Sequence, residues 1–192
     1  MTTKKIVLIG GNGYIGRALT QAWVTADADI EVFVLSRSGK NQLQLPQIKN
    51  IVIDRHDVAA ISAALPGKID YIVDLVGGPE KDATLSKEVN DWPAELMQTL
   101  ATEHQARAMG FIGGRLGPKY FLAKKQALIK QLQTSTIPLA YVEPTLVYGA
   151  GRDDAMAKMV GLLKVFGLVI PNLKPVKVTT VADELLTKLL QY

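Results

Sequence analysis

A glycine-rich turn near the start of the chain has the spacing of a phosphate-binding loop. Gly10, Gly13 and Gly16 form a G-x-x-G-x-x-G pattern between an apolar run and a segment of helical character. Such a loop lets backbone N–H groups approach a pyrophosphate, and the positive end of the following helix faces its charge. A glycine pattern alone is weak, but a strand before it and a helix after it favour a dinucleotide site over a turn without a ligand. The expected contacts are Gly10, Asn12, Gly13, Tyr14, Ile15 and Gly16.

The residues after the second apolar run indicate which dinucleotide is preferred. Sites for NAD commonly hold the adenosine ribose with an acidic residue about 20 positions beyond the glycine loop. This chain has no acid there and instead reads Ser36, Arg37, Ser38, Gly39 and Lys40. A guanidinium, an ammonium and hydroxyl groups suit a 2′-phosphate. The sequence therefore favours NADP(H) over NAD(H), with Arg37, Ser38 and Lys40 as contacts, and the alternative is a basic surface turn.

A tyrosine and a lysine four residues apart form a second candidate for chemistry. Tyr120 and Lys124 lie in a segment of helical periodicity, which places both side chains on one helix face. An ammonium near a phenol favours the phenolate, and such a tyrosine can exchange a proton with a carbonyl or hydroxyl group during hydride transfer. Chance alone yields this spacing often, so its position after a fifth strand carries the argument. The neighbouring Lys125 is expected to point away from this face into solvent.

The elements that must position these residues alternate regularly along the chain. Apolar runs predict strands over 5–9, 31–35, 50–53, 70–76, 108–112 and 138–142. Helices are predicted over 14–26, 58–65, 94–105, 120–133 and 181–190. Asp91 is the predicted N-cap of the third helix, and Thr180 with Asp183 is a possible capping box for the last. Continuous apolar strands alternating with helices predict an α/β fold, a doubly wound parallel sheet of Rossmann type with helices on both faces.

Composition narrows the possible functions. The 192 residues include no Cys and only two His, His56 and His104, so thiolate catalysis is excluded and no metal is expected. His104 is expected to be a partly exposed helix residue. The net charge of +4 comes from cations spread along the chain, and 6% of residues are aromatic, which favours an anionic small molecule over nucleic acid. The longest apolar stretch, 159–170, is short for a membrane span. We expect a cytoplasmic protein with a small-molecule substrate, and a homodimer is one oligomeric state that the sequence allows.

The chain is expected to form one NAD(P)-binding domain over residues 1–192. The only plausible seam is 149–154, and 152–177 is interpreted as a small insertion on the substrate side. Met and aliphatic residues at helical spacing within 156–166 would pack in the core, roof a substrate pocket or form a dimer face.

These features together resemble the short-chain dehydrogenase/reductase superfamily. The match is to its extended and atypical branches, the NAD(P)-dependent epimerase/dehydratase and NmrA-like proteins, and it extends over nearly the whole chain. The glycine loop and the pair Tyr120 and Lys124 correspond to the motifs of that superfamily. A segment over 142–149 is similar to its R-P-x-x-x-Y-G segment, with Glu143 in place of Arg. The resemblance implies that Lys124 holds a cofactor ribose, and it adds the cofactor contacts Asp57, Val58, Val76, Gly77, Pro144 and Leu146.

Two features depart from the pattern of the superfamily. A catalytic hydroxyl normally follows the fifth strand, yet this chain has no Ser or Thr between Thr102 and Thr134. The strand ends in Gly113, Gly114 and Arg115, so a backbone N–H or Arg115 would have to replace the hydroxyl. Loss of one such donor typically costs about 3 kcal/mol of transition-state stabilisation. The C-terminal substrate region is also much reduced, which leaves little protein to hold a bulky sugar nucleotide.

The resemblance implies one of two functions. The first is an NADP(H)-dependent oxidoreductase, a reductase or an epimerase/dehydratase-like enzyme, acting on a small, apolar carbonyl or hydroxyl substrate. Tyr120 would be its acid/base, assisted by Lys124. The alternative is a non-catalytic NADP(H)-binding redox sensor or assembly protein of NmrA-like type, which the missing hydroxyl favours and the retained pair disfavours.

Overall fold

A computed structural model describes residues 3–149 and 174–192. Its six-stranded sheet consists of β1 Lys4–Ile9, β2 Ile30–Ser36, β3 Ile48–Val52, β4 Tyr71–Asp74, β5 Ala108–Ile112 and β6 Leu139–Val142. All neighbouring pairs are parallel, and the order across the sheet is β3-β2-β1-β4-β5-β6. The order reverses between β1 and β4. Ligands of open α/β sheets bind at such a switch point, outside the carboxyl ends of the strands.

Helices cover both faces of this sheet. They are α1 Tyr14–Ala26, α2 Val58–Ala63, α3 Ala83–Ser86, α4 Trp92–Glu103, α5 Lys119–Leu132 and α6 Val178–Leu189. One apolar cluster joins α1 and α6 to Ile6 and Leu8 of β1, and a second joins α2, α4 and α5 to Val7 and Ile9. Alternate residues of each strand thus face opposite layers, which explains the continuous apolar runs. The predicted doubly wound parallel sheet is confirmed.

The third predicted helix begins earlier than expected and contains a wide turn. Asp82 caps α3 by accepting a hydrogen bond from the backbone three residues on, at 2.9 Å. A π-helical turn over Lys87–Asp91 then connects α3 to α4, and the N–H of Trp92 donates to the carbonyl five residues earlier. Pro93 lacks an N–H, and its ring would clash with a regular preceding turn, so the wider turn accommodates it. The predicted N-cap position of Asp91 is confirmed for α4, but its backbone is helical and its side chain makes no capping hydrogen bond, so its predicted capping interaction is wrong.

Two further local predictions are also wrong. The last helix begins at Val178, and the residue at its N-cap position, Lys177, makes no side-chain capping bond. Thr180 and Asp183 consequently lie inside the helix and do not form a capping box. His104 is 6% exposed, and its two ring nitrogens lie 2.8 and 2.9 Å from a proline carbonyl and a serine hydroxyl. Because it is buried and has two polar partners, His104 has a structural role at the end of α4.

A small second sheet forms close to the carboxyl end of β6. Its strands are β7 Val147–Tyr148 and β8 Val176–Lys177, which pair in parallel. The predicted seam over 149–154, the insertion over 152–177 and the apolar stripe over 156–166 fall wholly or mainly outside the described residues. In the described ranges, no helix is long and apolar enough to cross a membrane.

Candidate functional site

The glycine loop between β1 and α1 packs too closely for side chains. Gly10 has a φ of +77°, and a Cβ there would lie 2.7 Å from Cγ2 of Val76. A Cβ on Gly16 would lie 2.5 Å from a carbonyl oxygen of the same loop. The N–H of Gly13 donates to the carbonyl of Gly10 at 2.9 Å, which closes the turn, and no side chain caps the following helix. The positive end of α1 therefore faces the loop, which suits an anion.

The basic turn after β2 is attached to the glycine loop. The side-chain amide of Asn12 donates to the carbonyl of Lys40 at 2.8 Å, and the carbonyl of Asn12 accepts from the guanidinium of Arg17 at 2.8 Å. Arg37, Ser38 and Lys40 are all exposed. The structure thus brings the predicted 2′-phosphate contacts beside the predicted pyrophosphate loop, and it gives Asn12 the task of joining them.

Several other predicted cofactor contacts have structural partners. The carboxylate of Asp57 accepts a hydrogen bond at 2.8 Å from a backbone N–H in the first turn of α2, and it serves as the N-cap. The hydroxyl of Tyr14 donates to the carbonyl of Gly149 at 2.6 Å. Ile15 and Val58 pack against the two apolar clusters. Contact of these residues with a cofactor stays a prediction.

The segment after β4 is fixed from two sides. Val76 contacts the glycine loop, as described above. Gly77 has a φ of +140°, and a Cβ there would lie 2.5 Å from Nζ of Lys125 and 2.9 Å from Oδ1 of Asn90. Asn90 also accepts from the N–H of Gly78 and donates to its carbonyl, both at 3.1 Å. The π-helical turn that carries Asn90 therefore shapes this wall of the candidate site.

Lys125 is buried, which corrects the expectation that it is exposed. It is 3% exposed, its Nζ donates to the carbonyl of Val76 at 3.3 Å, and it lies 4.5 Å from the centre of the Phe111 ring. Burial lowers its pKa, and the charge of Asp74 opposes that shift. The sequence held a signal for this position, because Lys125 lies on the same helical stripe as the buried Leu128, Ile129 and Leu132.

Asp74 is the second buried ionisable group at this end of the sheet, and it ends β4 at 1% exposure. Burial raises the pKa of Asp74 to about 7, while the charge of Lys125 and a hydrogen bond from the Val76 N–H act in the opposite direction. Its Oδ1 accepts from that N–H at 2.9 Å, and its Oδ2 is buried without a hydrogen-bond partner in the described ranges. Sequence reasoning missed Asp74 because an acid within an apolar run gives no clue to its surroundings.

The predicted catalytic pair lies in the first half of α5. Tyr120 is 41% exposed. Nζ of Lys124 lies 2.8 and 2.9 Å from the two carboxylate oxygens of Asp91, which the π-helical turn presents. Helical spacing puts both members of the pair on one face. Asp91 is thus a site residue that sequence reasoning interpreted only as a helix cap.

The segment after β5, where the resemblance expects a hydroxyl, is built differently. A Cβ on Gly113 would lie 2.9 Å from Cγ of Glu143, whereas the nearest atom to a Cβ on Gly114 is 3.7 Å away. The N–H of Arg115 donates to the carbonyl of Pro144 at 2.9 Å, and its side chain is exposed. Leu146 is 2% exposed. A groove of about 890 Å³ opens here, and its lining includes Arg115, Glu143, Thr145, Tyr148, Lys174 and Lys177.

The switch point, the glycine loop and the layered sheet define the class of Rossmann folds that bind dinucleotides. The model of the NAD dependent epimerase/dehydratase family matches residues 6–116. The chain belongs to this family, as the resemblance to its superfamily indicated. No curated protein matches the chain.

Solved structures of low sequence identity share the fold. A UDP-glucose 4-epimerase aligns over 98% of this chain and 73% of its own, with 15% identity and a TM-score of 0.76. ElxO with NADP bound aligns over 97% of this chain and 91% of its own, with 16% identity and a TM-score of 0.73. The Bordetella bronchiseptica enzyme WbmH in complex with NAD+ aligns over 97% of this chain and 72% of its own, with 13% identity and a TM-score of 0.70. At these identities the likeness concerns the fold alone.

Proposed function

We propose that this protein is an NADP(H)-dependent oxidoreductase, a reductase or an epimerase/dehydratase-like enzyme, acting on a small, apolar carbonyl or hydroxyl substrate. The observation that carries the proposal is the bond from Asn12 to the carbonyl of Lys40, because it attaches a basic turn to a phosphate-type loop. The structural relatives support a nicotinamide dinucleotide, since WbmH holds NAD+ and ElxO holds NADP.

The residues present fit such a cofactor. Gly10 and Gly16 leave no room for a Cβ, so the loop turns sharply and packs closely, and Gly13 between them has no side chain to keep a pyrophosphate from the backbone. Arg37 and Lys40 supply the charges for a 2′-phosphate, with Ser38 as a hydroxyl donor. Hydride exchange is the chemistry that a nicotinamide ring supplies when bound.

Tyr120 and Lys124 have the roles that follow from their positions in this proposal. Tyr120 is exposed enough to meet a substrate oxygen and would transfer a proton at its hydroxyl. Lys124 has three N–H donors, of which two are directed at the oxygens of Asp91, so one is left for a ribose hydroxyl. We further propose one domain over residues 1–192, with a small substrate region over 152–177 and possible pairing into a homodimer.

A non-catalytic NADP(H)-binding sensor or assembly protein is the second candidate. The site after β5 favours it, because Glu143 and Ile129 fill the space that a side chain at Gly113 would need. No Ser or Thr follows the strand to take the place of the expected hydroxyl. In that case Tyr120 and Lys124 would contribute to cofactor binding alone.

Thermal unfolding with NADP⁺, NADPH, NAD⁺ and NADH added separately tests cofactor binding. A ligand present at about 100 times its Kd stabilises the folded state by about 2.7 kcal/mol. We expect larger shifts with the NADP pair, and Arg37→Ala should remove that preference with little effect on NADH. Lys130→Ala, at an exposed position of α5, is the control. No shift with any of the four would refute the proposed cofactor site, and equal affinity for both pairs would refute the preference for NADP(H).

Turnover separates the two candidate functions. A panel of small carbonyl compounds with NADPH should yield a substrate whose reduction is lost in Tyr120→Phe while cofactor binding is kept. Full turnover of Tyr120→Phe would refute the assigned acid/base. Binding of NADPH without turnover, together with a protein partner whose affinity changes with the NADPH/NADP⁺ ratio, would establish the sensor instead.

A further inference from the structure

Three buried polar side chains surround the segment that follows β4. Asp74 and Asn90 are each 1% exposed and Lys125 is 3% exposed. Asn90 bonds to Gly78, Lys125 bonds to the carbonyl of Val76, and Asp74 bonds to the N–H of Val76. In the described ranges, the hydrogen bonds of these three side chains therefore converge on the main chain of two residues, Val76 and Gly78.

The bonding of Asp74 and Lys125 is incomplete. One carboxylate oxygen of Asp74 is buried without a hydrogen-bond partner in the described ranges. The ammonium of Lys125 has three donors, yet in the described ranges it makes one hydrogen bond, of 3.3 Å, and otherwise faces the rings of Phe111 and Phe121. Apolar side chains of similar volume would fill this space at lower cost in free energy. The fold alone gives no reason for two ionisable groups here, and such groups are common where a site needs them.

The pair lies between the two halves of the candidate site. Val76 contacts Gly10 of the glycine loop on one side and is bonded to Lys125 on the other. Lys125 directly follows Lys124 on α5, and Asp91 holds the side chain of Lys124. The chain of contacts from Lys125 through Val76 to Gly10 therefore links the helix of the catalytic pair to the cofactor loop.

We propose that Lys125 and Asp74 are positioning residues, which hold Val76–Gly78 against the glycine loop in the shape that binds the cofactor and supply a local positive charge beneath it. The proposal rests on the proposed function, since it concerns the same cofactor site. Neither side chain needs to touch substrate or cofactor, because both act through the main chain of Val76.

The charge of the pair gives this proposal a distinctive signature. In the described ranges, Asp74 and Lys125 are each the charged group that shifts the pKa of the other. The charged groups that neighbouring elements bring to this end, Lys124 of α5 and Asp91 of the π-helical turn, are bonded to each other, and Phe111 of β5 is uncharged. Asp74 titrates near neutral pH, and every deprotonation makes the pair less positive. Affinity for an anionic dinucleotide should therefore fall as the pH rises through about 7.

The test measures the Kd of NADH and of NADPH from about pH 6 to pH 8.5. NADH is informative because it lacks the 2′-phosphate, whose own titration near pH 6 would obscure the effect. For the wild type, we expect the Kd of NADH to rise by about threefold to tenfold over this range, because the interaction of the pair with an anion is only partly screened by the protein. Asp74→Asn should bind NADH with a Kd that is flat with pH.

Lys125→Met should weaken both cofactors and move the pH dependence to higher pH, because the charge of Lys125 lowers the pKa of Asp74. Lys125→Arg should restore part of the affinity. Lys130→Met, also on α5, is the matched control and should match the wild type throughout. Near-ultraviolet circular dichroism reports whether each variant keeps its tertiary packing. Loss of affinity alone could reflect damage to the fold, whereas a lost or shifted pH dependence in a folded variant requires the pair.

Unchanged affinity and an unchanged pH profile in folded Lys125→Met and Asp74→Asn would overturn the proposal. If neither variant folds, a Kd of NADH in the wild type that stays flat with pH would overturn it, and one that rises with pH would support it. A wild type that binds none of the four nicotinamide cofactors would refute the proposed function at its first step. If the wild type binds NADH and the variants have the same Kd and pH profile as the wild type, the positioning role alone is refuted.

Discussion

The two ends of the candidate site are shaped by different parts of the chain, the main chain at one end and side chains at the other. At the cofactor end, the main chain does the shaping, since Gly10 and Gly16 have no space for a Cβ and Gly10 has a positive φ. At the substrate end, the shape depends on side chains: Glu143 fills the space beside Gly113, and Asp91 holds Lys124. The first end fits the superfamily pattern closely, and the second departs from it.

The comparison shows why one end is easier to recognise than the other. A site made of backbone leaves its mark as glycines at fixed spacing, because other residues would collide with neighbouring atoms. A site made of side chains depends on which residues the fold brings together, as Asp91 and Lys124 are brought together over a separation of 33 residues. The predictions below test each end by changing the atoms that define it.

The largest effect is expected from Gly16→Ala. The added Cβ would lie within 2.5 to 2.6 Å of three backbone atoms of Gly11, so loop and helix must separate. Steric strain of this kind in a packed region costs roughly 1–3 kcal/mol or more, and the loop should lose its affinity for NADPH. Urea unfolding and NADPH titration measure the two effects.

Gly67→Ala is the matched control for this substitution. A Cβ there meets nothing within 4 Å, and the backbone needs no positive φ. Its stability and affinity should stay close to those of the wild type. Normal NADPH binding in Gly16→Ala would show that close packing of the loop is not what defines the cofactor end.

The next effect concerns the pH dependence of stability that Asp74 produces. An unperturbed carboxyl has a pKa of 3.8, and burial raises the pKa of Asp74 to about 7 in the folded protein. Between these values the folded state binds more protons than the unfolded state, so the free energy of unfolding falls as the pH rises. Asp74→Asn should remove this contribution, of roughly 1–4 kcal/mol across the window.

Urea unfolding at about pH 4.5 and pH 7.5 tests that prediction. The buried Lys125 acts oppositely at higher pH, because its lowered pKa makes stability rise with pH up to its unfolded value of 10.5. The quantity to compare is therefore the difference in the free energy of unfolding between wild type and Asp74→Asn at each pH. The same difference at both values would mean that Asp74 keeps an ordinary carboxyl titration.

The sequence predicted the fold well and the site unevenly, for physical reasons. The bounds of α1 and β5 were predicted without error, because their apolar patterns have the period of the element. Pro93 lies in the first turn of α4 as predicted, but α3 and the π-helical turn that precede it were missed, because the residues before Pro93 show no clear helical pattern of apolar side chains. Lys125 was misplaced because its charge was given more weight than its position on an apolar stripe.

A smaller effect is expected where a hydroxyl is restored to the substrate end. Gly114 follows β5 and has no positive φ, and among the described residues the nearest neighbour of a Cβ there would be Leu122, at 3.7 Å. Gly114→Ser should therefore fold normally and place a donor beside Tyr120's helix. If the site is a weakened enzyme, kcat for NADPH-dependent reduction should rise by about tenfold, part of the roughly 3 kcal/mol that one donor supplies.

Gly113→Ser is the matched comparison, since its Cβ would lie 2.9 Å from Cγ of Glu143. It should lose stability and gain no activity. An unchanged kcat in a well-folded Gly114→Ser would widen the difference between the two ends. It would mean that restoring the missing hydroxyl does not restore activity at the substrate end.

The smallest effect is expected from Asp91→Asn, which weakens the ion pair with Lys124. Both side chains are partly exposed, at 32% for Lys124 and 22% for Asp91, so the loss of stability should stay below about 1 kcal/mol. The amide still accepts one hydrogen bond but no longer neutralises the ammonium, so Lys124 gains charge to offer an anionic cofactor. NADPH should then bind slightly more tightly, while the position of Lys124 becomes less fixed and kcat falls. Such a split between Kd and kcat would show that Asp91 orients the lysine for the substrate end, whereas parallel losses in both would place it with the cofactor end.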